Sequence, residues 1–239
     1  MMRTEKCAKC EEYKKINCGQ YRFCCRSEGG AGAPGRRPPG GGKSLLWHSR
    51  KGRKKIEYKQ GKGADRMPED LPLKIKTFSA RHRQYIVCVL KEIIEYYGSL
   101  LLGCAVFGSY ARGDNRKNSD LDLLIILKKA PGLSLRIKEF VERIEMKYEH
   151  LAQEIYEKDD ILCELSPYIL SRDEALRLQP LYYDLVQHHL VVYDPEGLIA
   201  RIINSTAGIM LRSGARKARC GNTWEWYNEK ACFMGGEEL

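Results

Sequence analysis

The segment 107–127, FGSYARGDNRKNSDLDLLIIL, constrains the fold of this chain more than any other stretch. Six of its last seven residues, Leu121–Leu127, are apolar. A short run of that kind fits a strand covered on both faces, so the sheet that holds it needs helices on each side. The strand is read as Asp120–Leu127, and two aspartates interrupt it at the start. Asp120 and Asp122 are two apart, so in a strand both project from one face with Cβ atoms roughly 6 to 7 Å apart. Carboxylates on so apolar a strand are costly unless they meet cations. Hard oxygen ligands of this kind suit magnesium, which takes one or two carboxylates together with phosphate oxygens and water. Two such ions about 3.5 to 4 Å apart clamp the entering and leaving oxygens of a displacement at phosphorus. The plainer alternative is an ordinary strand entry, with Ser119 and Asp120 capping a turn and Asp122 facing solvent.

The first half of the segment complements the second. Leu101–Phe107 reads as a strand, Gly108 permits a tight turn, and a helix should begin at Ser109 and run through Arg112. Free backbone N–H groups and a hydroxyl then meet in one corner, which is how phosphate is bound. Arg112, one turn on, adds a cation to the phosphates or pairs with an acid of the fold. The turn would hold a triphosphate and the aspartates its metal.

The rest of the chain bounds the reading. The formal charge of +10 suggests nucleic acid, but residues 1–67 carry 18 Lys and Arg against 6 Asp and Glu, and the remainder carries 23 against 25. The basicity therefore belongs to the N-terminal arm and the globular part is near neutral, so nucleic acid is expected only through that arm. No apolar run reaches the roughly 18 residues that span a membrane, and a cytoplasmic protein is expected. Residues 1–28 are Cys-rich: Cys7, Cys10, Cys18 and Cys24 either close a zinc site or are incidental in an unstructured tail. Residues 29–66 are a Gly/Pro linker and a basic arm, expected to be disordered; the arm either follows a phosphate backbone or is a solvated tail. Met67 opens a segment that makes sense as a domain start, and residues 1–66 are either part of the natural product or absent from it.

Residues 67–195 are expected to form the core, and 196–239 a C-terminal helix with a terminal strand or hairpin packed on it. Apolar spacing predicts a helix over 80–97 ended by Gly98, and one long helix over 134–158 capped by Ser134. It also predicts a strand over 161–170 with Pro167 marking an edge or a bend, a short helix over 172–178, a segment 181–187, a strand over 189–193 and a helix over 196–212. His188 and His189, adjacent on a strand, face opposite ways and make poor joint ligands. Trp224, Trp226 and Tyr227 either stack on a base or pack at the terminus.

Gly108-Ser109-x-Ala111-Arg112-Gly113, five residues, then Ser119-Asp120-x-Asp122-Leu123 resembles the signature of the DNA polymerase β-like nucleotidyltransferases, most closely the minimal nucleotidyltransferases of archaea and bacteria. Weaker similarity continues through 165–197 and into 214–226; residues 1–66 show none. The resemblance implies an α+β fold with a small mixed sheet flanked by helices. It also implies magnesium-dependent transfer of a nucleoside monophosphate, AMP by expectation, from an NTP, ATP by expectation, to a hydroxyl of a small molecule or protein, with release of pyrophosphate. Asp120 and Asp122 would hold the metals, and Gly108, Ser109, Arg112 and Ser119 the nucleotide. A third carboxylate from a later strand completes such sites; Glu164 is the first candidate and Asp160 the second. Members of the family also act as antitoxins that modify a HEPN toxin partner. A degenerate module that binds a partner or nucleic acid without transfer is the alternative of another class.

Overall fold

The computed structural model describes residues 67–220 and 223–228, and the N-terminal cysteines and basic arm lie outside them. Helix α1, Leu71–Lys74, leads into α2, Ala80–Tyr97. The Ser79 hydroxyl caps α2 by accepting the His82 N–H at 3.1 Å, and Gly98, at φ 45°, ends it. Its buried stripe, Tyr85, Ile86, Val89, Leu90, Ile93 and Tyr97, repeats every three or four residues and turns one face of the helix to the sheet.

Four strands form that sheet: β1, Leu101–Val106; β2, Leu121–Leu127; β3, Leu165–Ser171; and β4, Leu190–Tyr193. Their order is β3-β2-β1-β4, with β1 antiparallel to β2 and β4, and β2 parallel to β3. Parallel neighbours need a crossover, and residues 133–159 supply it. One face of the sheet carries Leu121, Leu123, Ile125 and Ile169 under α2 and the crossover residues Phe140, Ile144 and Ile155. The other carries Leu124, Ile126, Leu170 and Ala105, covered by Tyr182, Leu185, Leu198, Ile199, Ile202 and Ile203. The result is the α+β arrangement of a small mixed sheet between helical layers.

The crossover departs from expectation. A single helix over 134–158 is replaced by α3, Leu133–Phe140, a π-type turn Val141–Glu145, a 3-10 turn Met146–Tyr148, and α4, Glu149–Asp159. The break serves a tertiary partner: buried Glu92 of α2 receives Lys147 Nζ at 2.6 Å and the Tyr148 hydroxyl at 3.0 Å. The helix also begins one residue before Ser134, after Gly132, without a side-chain cap.

The third strand starts at Leu165 rather than 161, because residues 161–164 instead meet the loop that precedes β2. The Leu162 N–H donates to Lys117 O at 2.8 Å and the Leu121 N–H to Glu164 O at 2.9 Å. Pro167 sits on the edge strand β3, where a missing N–H costs least. The short helices α5, Arg172–Ala175, and α6, Tyr182–Gln187, follow. The former opens with a Ser171–Glu174 capping box in place of the longer helix expected. Helix α7, Leu198–Ser213, ends at left-handed Gly214. Strands β5, Arg216–Cys220, and β6, Thr223–Tyr227, pair with one another. The Trp226 indole N–H donates to Asp184 Oδ1 at 3.2 Å and its ring lies 5.5 Å from that of Tyr183, so this aromatic packs on α6.

Candidate active site

A short helix, Gly108–Arg112, follows β1 directly, and Gly113 in the left-handed region closes it. Gly108 has φ 64°, a conformation that an L side chain resists. A Cβ there would also overlap the Asp122 carboxylate, with Cγ only 2.7 Å away. The Gly108–Ser109 turn and the acid strand are thus pressed together, and only glycine permits it. The Phe107 N–H donates to Asp122 O at 3.0 Å and fixes the same approach through the backbone.

Asp120 lies one residue ahead of β2 and Asp122 is its second residue. In the parallel register Asp122 stands opposite Ser166, whose hydroxyl meets its carboxylate. Burial pushes the Asp122 carboxyl up to about 6, helped by the charge of Asp120, while Arg112 and Ser166 pull it back. Glu164 is raised by burial and by Asp120, with which its carboxyl is in hydrogen-bonding contact. The two sequence candidates for a third acid now separate: Glu164 joins Asp120, whereas Asp160 ends α4 in the left-handed conformation, with a side chain 90% exposed and 3.9 Å from Lys117 Nζ.

Among the described residues no group of three or more His, Cys, Asp or Glu side chains is gathered to hold a metal by itself. The donor set nevertheless fits magnesium. That ion uses one or two carboxylates and completes its shell with phosphate oxygens and water, and the raised Asp122 marks a place short of positive charge. His188 and His189 do not add to it; His189 Nδ1 lies 2.7 Å from Leu185 O.

Arg112 reaches Asp114, Nε to Oδ2 at 3.2 Å, so the structure takes the acid-pairing option for a guanidinium that remains partly exposed beside the turn. The Ser119 hydroxyl accepts the Arg116 N–H at 2.8 Å and shapes the turn that presents Asp120. Ser109 opens the corner, its carbonyl accepting the Asp114 N–H at 3.2 Å.

Sequence reasoning missed the strut behind this corner. Tyr110 turns inward, its hydroxyl 3.2 Å from Nε2 of His82, which is 1% exposed and whose ring stacks on Phe78. Asn115, also 1% exposed, donates from Nδ2 to Lys76 O at 3.1 Å while Lys76 Nζ donates to Asn115 O at 3.0 Å. These bonds tie the loop between the two halves of the motif to the segment before α2. The only sequence sign of it was an uncharged amide in a loop of charges, which is too common to read.

A nucleotidyltransferase-domain family matches residues 87–186. A protein of Methanocaldococcus jannaschii named a presumptive protein adenylyltransferase is 41% identical over 58 residues, covering 23% of this chain and 59% of that one. A second of the same name and organism is 29% identical over 107 residues, covering 44% and 67%. The chain thus spans 59% of the length of the first relative. Among solved structures, a complex of an AMPylated Shewanella oneidensis HEPN toxin with its MNT antitoxin aligns at 12% identity and TM-score 0.29, over 54% of this chain and 92% of that one.

Proposed function

We propose that this chain, whose residues 87–186 match a nucleotidyltransferase-domain family, transfers AMP from ATP to a hydroxyl and releases pyrophosphate. One observation carries the reading: Gly108 brings the phosphate corner against Asp122, and Asp120 brings Glu164 to the same place. In this account the N–H groups of the Gly108–Ser109 turn and the Ser109 hydroxyl receive the triphosphate, and the Arg112 guanidinium adds positive charge. Asp120 and Asp122 would hold magnesium, which supplies charge to the phosphate oxygens and to the leaving pyrophosphate. Glu164, its affinity for a proton raised, takes the proton of the acceptor hydroxyl. The acceptor oxygen forms a bond to the α-phosphorus as the bond to the bridging oxygen of pyrophosphate breaks.

The names of the two relatives favour a hydroxyl on a protein over one on a small molecule, and modification of a HEPN toxin is the narrowest form of that reading. The test is to incubate the full chain with magnesium and ATP labelled at the α-phosphate, and to follow label on acceptors and release of pyrophosphate. Magnesium-dependent transfer that disappears in Asp122→Asn is expected. ATP binding without transfer to any acceptor would replace the enzyme with a nucleotide-binding module. RNA binding that is salt-sensitive and lost on removal of residues 1–66 would assign the basic arm.

A further inference from the structure

Resting on that reading, we infer that the acceptor hydroxyl enters over the edge strand β3, across Tyr168 and Gln179, and belongs to an acceptor without negative charge beside it. Displacement at phosphorus places the entering and leaving oxygens in line, on opposite sides of the phosphorus. The phosphate corner follows β1, on one side of β2, and β3 lies on the other. With pyrophosphate departing over the corner, the entering oxygen comes from the β3 side.

What lines that side follows from register. Asp122 pairs with Ser166 and Leu124 with Tyr168 in the parallel ladder, so Ser166 and Tyr168 share the face of Asp122. The contact of the Ser166 hydroxyl with Asp122 agrees. Glu164, two residues before Ser166, reaches Asp120. Glu164, Ser166 and Tyr168 therefore form a row leading away from the acids along the edge strand.

Tyr168 is 36% exposed, yet its orientation is set. Its hydroxyl donates to Gln179 Oε1 at 3.2 Å, and Gln179 Nε2 donates to Glu174 O at 3.0 Å. The second bond fixes which end of the amide faces the tyrosine. The ring thus stands as a held wall where the helical cover of this face begins. Among the described residues, Glu164, Ser166 and Tyr168 make a row that is acidic or uncharged and offers no cation to an anionic acceptor, so a phosphate flanking the hydroxyl is disfavoured.

The test uses the full chain with magnesium. Affinity for α,β-methylene-ATP is measured first, then transfer of label from ATP to N-acetylserinamide, N-acetyltyrosinamide and a 5′-phosphorylated dinucleotide. Tyr168→Ala should keep analogue affinity within about twofold and weaken transfer to the amides at least tenfold, chiefly through the acceptor KM. Gln179→Ala should lose less, and Tyr168→Phe, which keeps the ring, should lose about two- to threefold. Tenfold weaker analogue binding in Tyr168→Ala would put the ring under the nucleotide and overturn the proposal. An unchanged acceptor KM in both Tyr168 variants, or preference for the dinucleotide, would also overturn it. Wild-type chain that binds the analogue with magnesium but labels none of the probes sinks the acceptor assignment alone; failure to bind the analogue sinks the donor reading beneath it.

Discussion

The two faces of the sheet are finished differently. On one, α2 and the crossover seal the whole length of β2, and Leu121, Leu123, Ile125 and Leu127 are all buried. On the other, α6 and α7 cover Leu124 and Ile126 but the apolar row gives way to Asp122 and Ser166. The same strand is thus core on one side and core followed by site on the other. A sealed layer can hold carboxylates in place against their mutual repulsion, and in the proposed function the open end is where substrate would reach them.

Substitutions on the two faces should therefore fail in different ways. Asp122→Asn should lower transfer by about a thousandfold, as loss of a main electrostatic group does, with little change in the urea midpoint. A parallel loss of fold would place Asp122 in the sealed part of the comparison. Gly108→Ala should cost both, since the new Cβ meets the Asp122 carboxylate in a backbone conformation with positive φ. A decrease in transfer of at least a hundredfold is expected, with about 1 to 3 kcal/mol of stability lost. Leu123→Ala, on the sealed face, should cost about 2 to 5 kcal/mol in denaturant unfolding, with transfer per folded molecule nearly unchanged.

A smaller effect tests the tie between the crossover and β3. Buried Arg136 donates to Ile169 O at 2.8 Å and to both Glu174 carboxylate oxygens, at 2.6 and 3.0 Å. Arg136 holds the Glu174 carboxyl down to about 2, from an ordinary value of 4.5. A depressed carboxyl stabilises the fold fully above its unfolded value and loses that contribution as pH falls through the folded one. The stability gap between wild type and Glu174→Gln should be constant near neutrality and close between about pH 4.5 and 2. A gap that persists at pH 2 would assign it to packing. Smallest of all, Asp184→Asn should loosen the contact of Lys217 and Trp226 with α6, seen as faster amide exchange in residues 226–228, with transfer untouched.

Local features were the legible ones. The α2 stripe and Gly98 stop and the apolar strand with its two acids rest on short-range periodicity or on one conformational demand. The break in the crossover helix was hidden because Lys147 and Tyr148 answer to Glu92, more than fifty residues away. The start of β3 was misplaced because residues 161–164 bond to a loop instead of a strand. At the site, Asp120, Asp122 and the Gly108 turn could be picked out as candidates and Glu164 placed ahead of Asp160, but that Glu164 neighbours Asp120 while Asp160 is exposed beside Lys117 needed the fold. Asn115 and His82 were illegible because their value lies in buried bonds to distant backbone and hydroxyl groups.

The account stands on the claim that the Gly108 corner and the Asp120–Asp122 pair form one magnesium-dependent nucleotide site. Calorimetric titration of ATP into the full chain, with and without magnesium, tests it most directly in wild type and Asp122→Asn. At least tenfold tighter binding with magnesium is predicted for wild type, and none of that gain for the variant. Equal gain in both proteins, or none in wild type, would contradict it.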